Sequence, residues 1–137
     1  MLENINIVAI IVAAIASFVF SMLWYGPLFG KVWVKLANMT QEQIEEGKKK
    51  GMVGTMIVAF IQTIVFAVGV ALAVDLVGAT DISEALTVSF AIWLTFILTI
   101  TLSPVLWMGK TVKHWAFDNA YNFCNLLIIA TTIAYWQ

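Results

Sequence analysis

Charge is the scarcest property of this chain. Only 11% of its 137 residues are charged, against roughly 25% in an average soluble protein. All seven basic residues are lysines and the formal net charge is −1, so no positive field exists to attract nucleic acid and no such partner is expected. A single cysteine, Cys124, excludes an internal disulfide. A single histidine, His114, has no second His and no Cys or Glu at ligand spacing, which argues against a transition-metal site. A Gly-rich phosphate loop, an HExxH pair and a Ser-His-Asp set argued from spacing are all missing. No catalytic residue and no cofactor are therefore assigned, and the chain is not expected to be an enzyme.

What is present is hydrocarbon. Hydrophobic residues make up 62% of the chain and gather in four runs at about 5–25, 52–74, 85–108 and 115–136. Each exceeds the roughly 20 residues a helix needs to cross about 30 Å of lipid. A soluble domain of this size would show amphipathic stripes instead. The expected fold is all-α and integral to the membrane, with four transmembrane helices as two hairpins forming one domain over 1–137. The start carries Glu3 and no Lys or Arg before a long apolar run, so the first run reads as a retained span rather than a cleaved signal.

The lysines predict the orientation. Lys31, Lys35, Lys48, Lys49 and Lys50 fall in the first loop (26–51), Lys110 and Lys113 in the third. The positive-inside rule puts both loops in the cytoplasm and both termini outside, in the cell (inner) membrane. Asp75, Asp81 and Glu84 lie on the other side, and Trp24, Trp33, Trp107, Trp115, Tyr135 and Trp136 sit near span ends as interfacial anchors do. Pro27, between Gly26 and Gly30, should stop or bend the first helix. Phe29, Val32, Trp33 and Leu36 then share a face suited to a short interfacial helix. Thr40 with Gln43 predicts a capping box for a further helix that Gly47 could end. Lys48, Lys49 and Lys50 follow as a topology determinant or a lipid-headgroup contact. A faint repeat links the exits of the first and third spans, each Pro, aromatic, Gly, Lys (Pro27 to Lys31 and Pro104 to Lys110).

Helices in lipid associate through small residues. The first span offers Ala9, Ala13, Ser17 and Ser21, and the second Thr55, Ala59, Thr63, Ala67 and Ala71, each four apart. These stripes are expected to face other helices, most simply each other. The last span carries Asp118, Asn122, Asn125 and Thr132 within one narrow arc, with Asn119 and Tyr121 beside it. Polar groups in hydrocarbon must be paired or face water. With Gln62 on the second span and Thr95 and Thr99 on the third, they suggest a polar centre. It is either a packing network or a ligand or ion path built from Gln62, Thr95, Thr99, Asp118, Asn122 and Asn125. Asp118 has a simpler reading as an ion pair with Lys110, Lys113 or His114.

The segment Leu23-Trp24-Tyr25-Gly26-Pro27-Leu28-Phe29-Gly30-Lys31-Val32-Trp33 resembles the N-terminal signature of the DUF1761 family of small bacterial and archaeal membrane proteins. In that signature a Trp-Tyr-x-Pro run precedes Phe-Gly-Lys and a Trp. Met39-Thr40-Gln41-Glu42 echoes a second family segment, and Asp118-Asn119-Ala120-Tyr121-Asn122-Phe123 is similar to a third. Members often carry His where this chain has Asn122, so a proton-linked role of that His would be missing here. The resemblance covers essentially the whole chain and implies a four-helix membrane fold without an established activity. Three functions are open. The first is a structural or accessory subunit acting through lipid and helix contacts, as a homo-oligomer or in a hetero-complex. The second is a channel or carrier using the polar stripe. The third is a lipid- or quinone-linked enzyme at the inner interface, where Trp33, Trp107 and Trp115 would cluster.

Overall fold

The computed structural model describes residues 3–136; Met1, Leu2 and Gln137, the ends of the expected single unit, lie outside them. Helices and short turns account for all regular structure among the described residues. Helix α1 (Ile7–Leu23) opens on Asn6, whose Oδ1 accepts from the Val8 and Ala9 amides at 3.0 and 3.2 Å, satisfying N–H groups that have no partner inside the helix. It runs into a wide π turn, Trp24–Leu28, which breaks at Gly26 (φ −114°, ψ −108°) before Pro27. Beyond it lies α2 (Gly30–Leu36). A Cβ on Gly30 would stand 2.9 Å from the Tyr25 carbonyl oxygen, so the reversal needs glycine there.

Helix α3 (Gln41–Lys49) begins with the expected capping box between Thr40 and Gln43. Gly47 does not end it. The helix continues to Lys49, and Gly51, at φ +75°, turns the chain instead. Helix α4 (Val53–Val77) stops at Gly78, φ +74°. Asp81 caps α5 (Ile82–Ile92), which continues through a second π turn, Trp93–Ile97, into α6 (Leu98–Trp107). Thr111 caps α7 (Val112–Tyr135).

Three of these helical segments are long and apolar enough to cross a membrane: Ile7–Leu28, Val53–Val77 and Ile82–Trp107. Helix α7 is of similar length, but Lys113, Asp118, Asn119, Asn122 and Asn125 dilute its apolar content. Large apolar side chains are exposed along all three apolar segments, among them Ile11, Val19, Val58, Val65, Phe96 and Ile100. Burying these in lipid is the physical solution to so large an exposed apolar surface.

Helix α7 packs against α1, α4, α5 and α6. At one end the Asn6 Nδ2 donates to the Trp136 carbonyl at 3.1 Å, and at the other the Tyr25 hydroxyl reaches Asp118, so α1 and α7 are antiparallel. The Asn6 end is the apolar core: Ile10, Ala13, Ala67, Val70, Ala71, Val74, Ala79, Ala85, Leu126, Ile129, Ala130 and Ile133 are buried together. Small residues on α1 and α4 let the backbones approach closely. Buried residues of α4 all fall between Ala67 and Val74. Its first half, from Val53 to Phe66, has none, and meets α1 through the edge-on Phe18–Phe60 pair at 5.5 Å.

Candidate functional site

Three polar groupings on α7 face three directions. The first faces α6. Asn119, 2% exposed, donates through Nδ2 to the Thr101 hydroxyl at 3.0 Å and to the Trp115 carbonyl at 2.9 Å. The Thr101 proton goes to the Ile97 carbonyl at 2.6 Å, and Thr101 Oγ1 also accepts from Trp115 Nε1 at 3.1 Å. Trp93 Nε1 adds a bond to the Asn119 carbonyl at 2.9 Å. Both lone pairs of the Thr101 hydroxyl and both protons of the Asn119 amide are used. This network ties the second π turn and α6 to α7, with Asn119 Oδ1, 3.2 Å from Thr101 Oγ1, competing with the Ile97 carbonyl for the Thr101 proton.

The second grouping lies at the lysine-bearing end. Asp118 Oδ1 accepts from the Tyr25 hydroxyl at 2.9 Å; Oδ2 accepts from Lys110 Nζ at 2.9 Å and lies 3.2 Å from His114 Nε2. Both carboxylate oxygens are engaged, and Lys113 stays exposed. The kink at Gly26 turns Tyr25 to this position. Aromatic rings wrap it: Tyr25 meets Tyr121 edge-on at 5.0 Å and Trp33 at 5.6 Å, while Trp24 packs on Phe29 at 4.6 Å and on Phe117 at 5.5 Å. Trp24 Nε1 is buried without a hydrogen-bond partner among the described residues.

The third grouping faces α1 and α4. Ser17 donates to Asn125 Oδ1 at 2.6 Å. Ser21 donates to the Ser17 carbonyl at 2.9 Å, which leaves the Tyr121 hydroxyl as donor in its contact with Ser21 Oγ. Beside these groups lies a cavity of about 440 Å³. It is lined by Phe18 and Ser21 of α1, Ala59, Gln62, Thr63 and Phe66 of α4, Ile97 of the second π turn, and Tyr121, Asn122 and Asn125 of α7. A second hollow of about 420 Å³ shares Ala59 and Gln62 and continues past Val58 and Thr55 to Gly54, toward the lysine-bearing end. In the other direction the buried core, with Ala67, Val70, Leu126 and Ile129, closes the space.

Gln62, Asn122 and Asn125 thus line one cavity. Asp118 stands apart, held by Tyr25, Lys110 and His114. Thr95 and Thr99 are exposed and outside the cavity, with hydroxyls bonded to the Ala91 and Thr95 carbonyls of their own helix at 2.6 Å each. Of the small-residue stripes, Ala9, Ala13, Ser17, Ala67 and Ala71 are buried; Ser21, Ala59 and Thr63 are half-buried and line the cavity; Thr55 is exposed. Lys48, Lys49 and Lys50 are exposed at the end of α3. Trp33, Trp107 and Trp115 do not cluster. Trp33 packs on Tyr25, Trp115 bonds Thr101, and Trp107 is 84% exposed. The sequence reading missed Thr101, Trp93 and Tyr25 as polar partners. Only the requirement that buried Asn119 and Asp118 find partners pointed toward them. Among the described residues no group of three or more His, Cys, Asp or Glu could hold a metal ion.

The family model for DUF1761, described as a protein of unknown function, matches residues 8–134, and the chain belongs to that family. No curated protein and no solved structure matches the chain.

Proposed function

We propose a small polytopic protein of the cell membrane that holds a small molecule in a cavity between α1, α4 and α7, in the manner of a carrier open toward its lysine-bearing end. In this reading α7 is a fourth crossing. Its 24 residues span about 36 Å at 1.5 Å per residue. Its carboxamides Asn119, Asn122 and Asn125 turn toward α1, α4 and α6, as intramembrane polar groups must. The four crossings then form two hairpins, α1 with α4 and the α5–α6 segment with α7. The positive-inside rule places the lysine-bearing end in the cytoplasm and both termini outside.

The cavity carries the proposal. About 440 Å³ lies within the roughly 300–1,000 Å³ typical of ligand sites, and a mostly apolar lining with a few convergent polar groups is the usual composition. Closure by the core beyond Ala67 and Ile129 favours a carrier over an open pore. The test is native mass spectrometry of protein extracted gently from its own membrane. Wild type should retain a small molecule that the cavity-filling variant Ala59→Trp loses; equal retention by both would defeat the reading.

A second reading, an assembly subunit, rests on the outward face of α7. Ala116, Ala120 and Thr131 are exposed there, and no large apolar side chain is exposed between Lys113 and Ala134. Small residues of this kind suit a helix–helix contact with another copy or a foreign subunit. The same spectra would report either as added protein mass.

A further inference from the structure

Three carboxamides meet in the cavity, from Gln62, Asn122 and Asn125. Among the described residues, the one hydrogen bond made by any of them is the Ser17 hydroxyl to Asn125 Oδ1. The Asn125 amide nitrogen and both polar ends of Asn122 have no protein partner yet are not sealed away as orphans, and Gln62 is an exposed residue whose amide is likewise unpaired. At this depth in hydrocarbon, free amides demand partners from water or a ligand.

The remaining polar lining is hydroxyl: Ser21, Thr63 and Tyr121. Among the described residues, no charged side chain lines the cavity. The one ionisable carboxylate nearby, Asp118, has both oxygens engaged by Tyr25, Lys110 and His114, so it offers no counter-charge to a cation. A lysine could neutralise an anion only from the lysine-bearing end of the bundle, since none lines the cavity or the hollow that runs to Gly54. A carboxamide presents a donor and an acceptor side by side. Three of them suit a neutral molecule that itself carries donors and acceptors. An ion entering this low-dielectric space would give up its hydration without compensation.

We propose that the cavity takes a neutral, hydrogen-bonding solute, hydroxylated or amide-bearing, and rejects ions of either sign. This deepens the carrier reading and depends on it. The hollow along Gly54, Thr55 and Ala59 is the water-side approach, and Gln62, Asn122 and Asn125 set the selectivity.

The test is thiol labelling of purified protein in lipid nanodiscs. In a Cys124→Ala background, Asn122→Cys and, separately, Thr63→Cys place one thiol on the cavity wall. Gln41→Cys, on exposed α3, serves as the accessible reference. Three bilayer-impermeant methanethiosulfonates are compared: a neutral glucosyl reagent, the cationic trimethylammonium-ethyl reagent and the anionic sulfonatoethyl reagent. Each rate is normalised to that with 2-mercaptoethanol. The glucosyl reagent is the largest, so a preference for it cannot be steric. Expected is reaction of both cavity thiols with the neutral reagent at least about tenfold faster than with either ion, while Gln41→Cys reacts with all three. Comparable rates for all three at the cavity would overturn the neutral class and leave the cavity reading standing. No reaction at either cavity thiol, with Gln41→Cys labelled, would overturn the cavity reading itself.

Discussion

Two polar regions of the same helix, α7, have opposite characters. On one side every donor of Asn119, Thr101, Trp115 and Trp93 in the network is taken up by a protein acceptor. On the other, Gln62, Asn122 and Asn125 surround an open space and share a single bond with Ser17. The first arrangement is what packing alone requires of polar groups in an apolar medium. The second is not, since packing gains nothing from unpaired amides. The difference separates residues that hold the helices together from residues available to something else.

The contrast can be broken most forcefully at Asn119. Asn119→Leu leaves the Thr101 hydroxyl and the Trp115 carbonyl short of a donor, and should lower stability by about 2 kcal/mol, read as a fall in the unfolding midpoint in detergent. An unchanged midpoint would mean that the network is not structural. Ser17→Ala removes the bond that ties Asn125 to α1. A loss of about 1 kcal/mol or less is expected, with the cavity thiol of Thr63→Cys still reactive. Smallest is Asn122→Leu, which deletes no hydrogen bond to protein. Its stability should stay within about 0.5 kcal/mol of wild type, while a co-purifying small molecule is lost in native mass spectra. A clear destabilisation would place Asn122 with the packing residues after all.

The sequence exposed much of this arrangement and hid a specific part. Helix positions followed from the apolar runs, and Asp118, Asn122 and Asn125 were visible as an arc because a helix repeats every 3.6 residues. Asn119, one residue from Asp118, was read as a flank of that arc. A rotation of about 100° per residue instead turns it to a different neighbour, and which neighbour stands there is a matter of tertiary packing. Thr95 and Thr99 resembled site residues because hydroxyls at helical spacing look alike whether they face a cavity or bond back to the preceding turn. Thr101 joined the network only because the second π turn sets the phase of α6. The fourth apolar run illustrates the other limit. In the reading proposed above, α7 can carry polar residues that would be untenable on a lipid-facing helix because they turn toward its neighbours.

That π turn, Trp93–Ile97, holds one residue more than an α turn would. It works as a phase buffer. The surplus residue is absorbed where Leu94, Thr95 and Phe96 are exposed, and the helix on either side keeps its bearing on α7. Removing one residue inside the turn would restore an ordinary α turn and leave Thr101 opposite Asn119. Removing one at Ile100, beyond it, would swing the rest of α6 by about 100° and separate the pair. Along this helix, tolerance to a lost codon is therefore concentrated in a single turn.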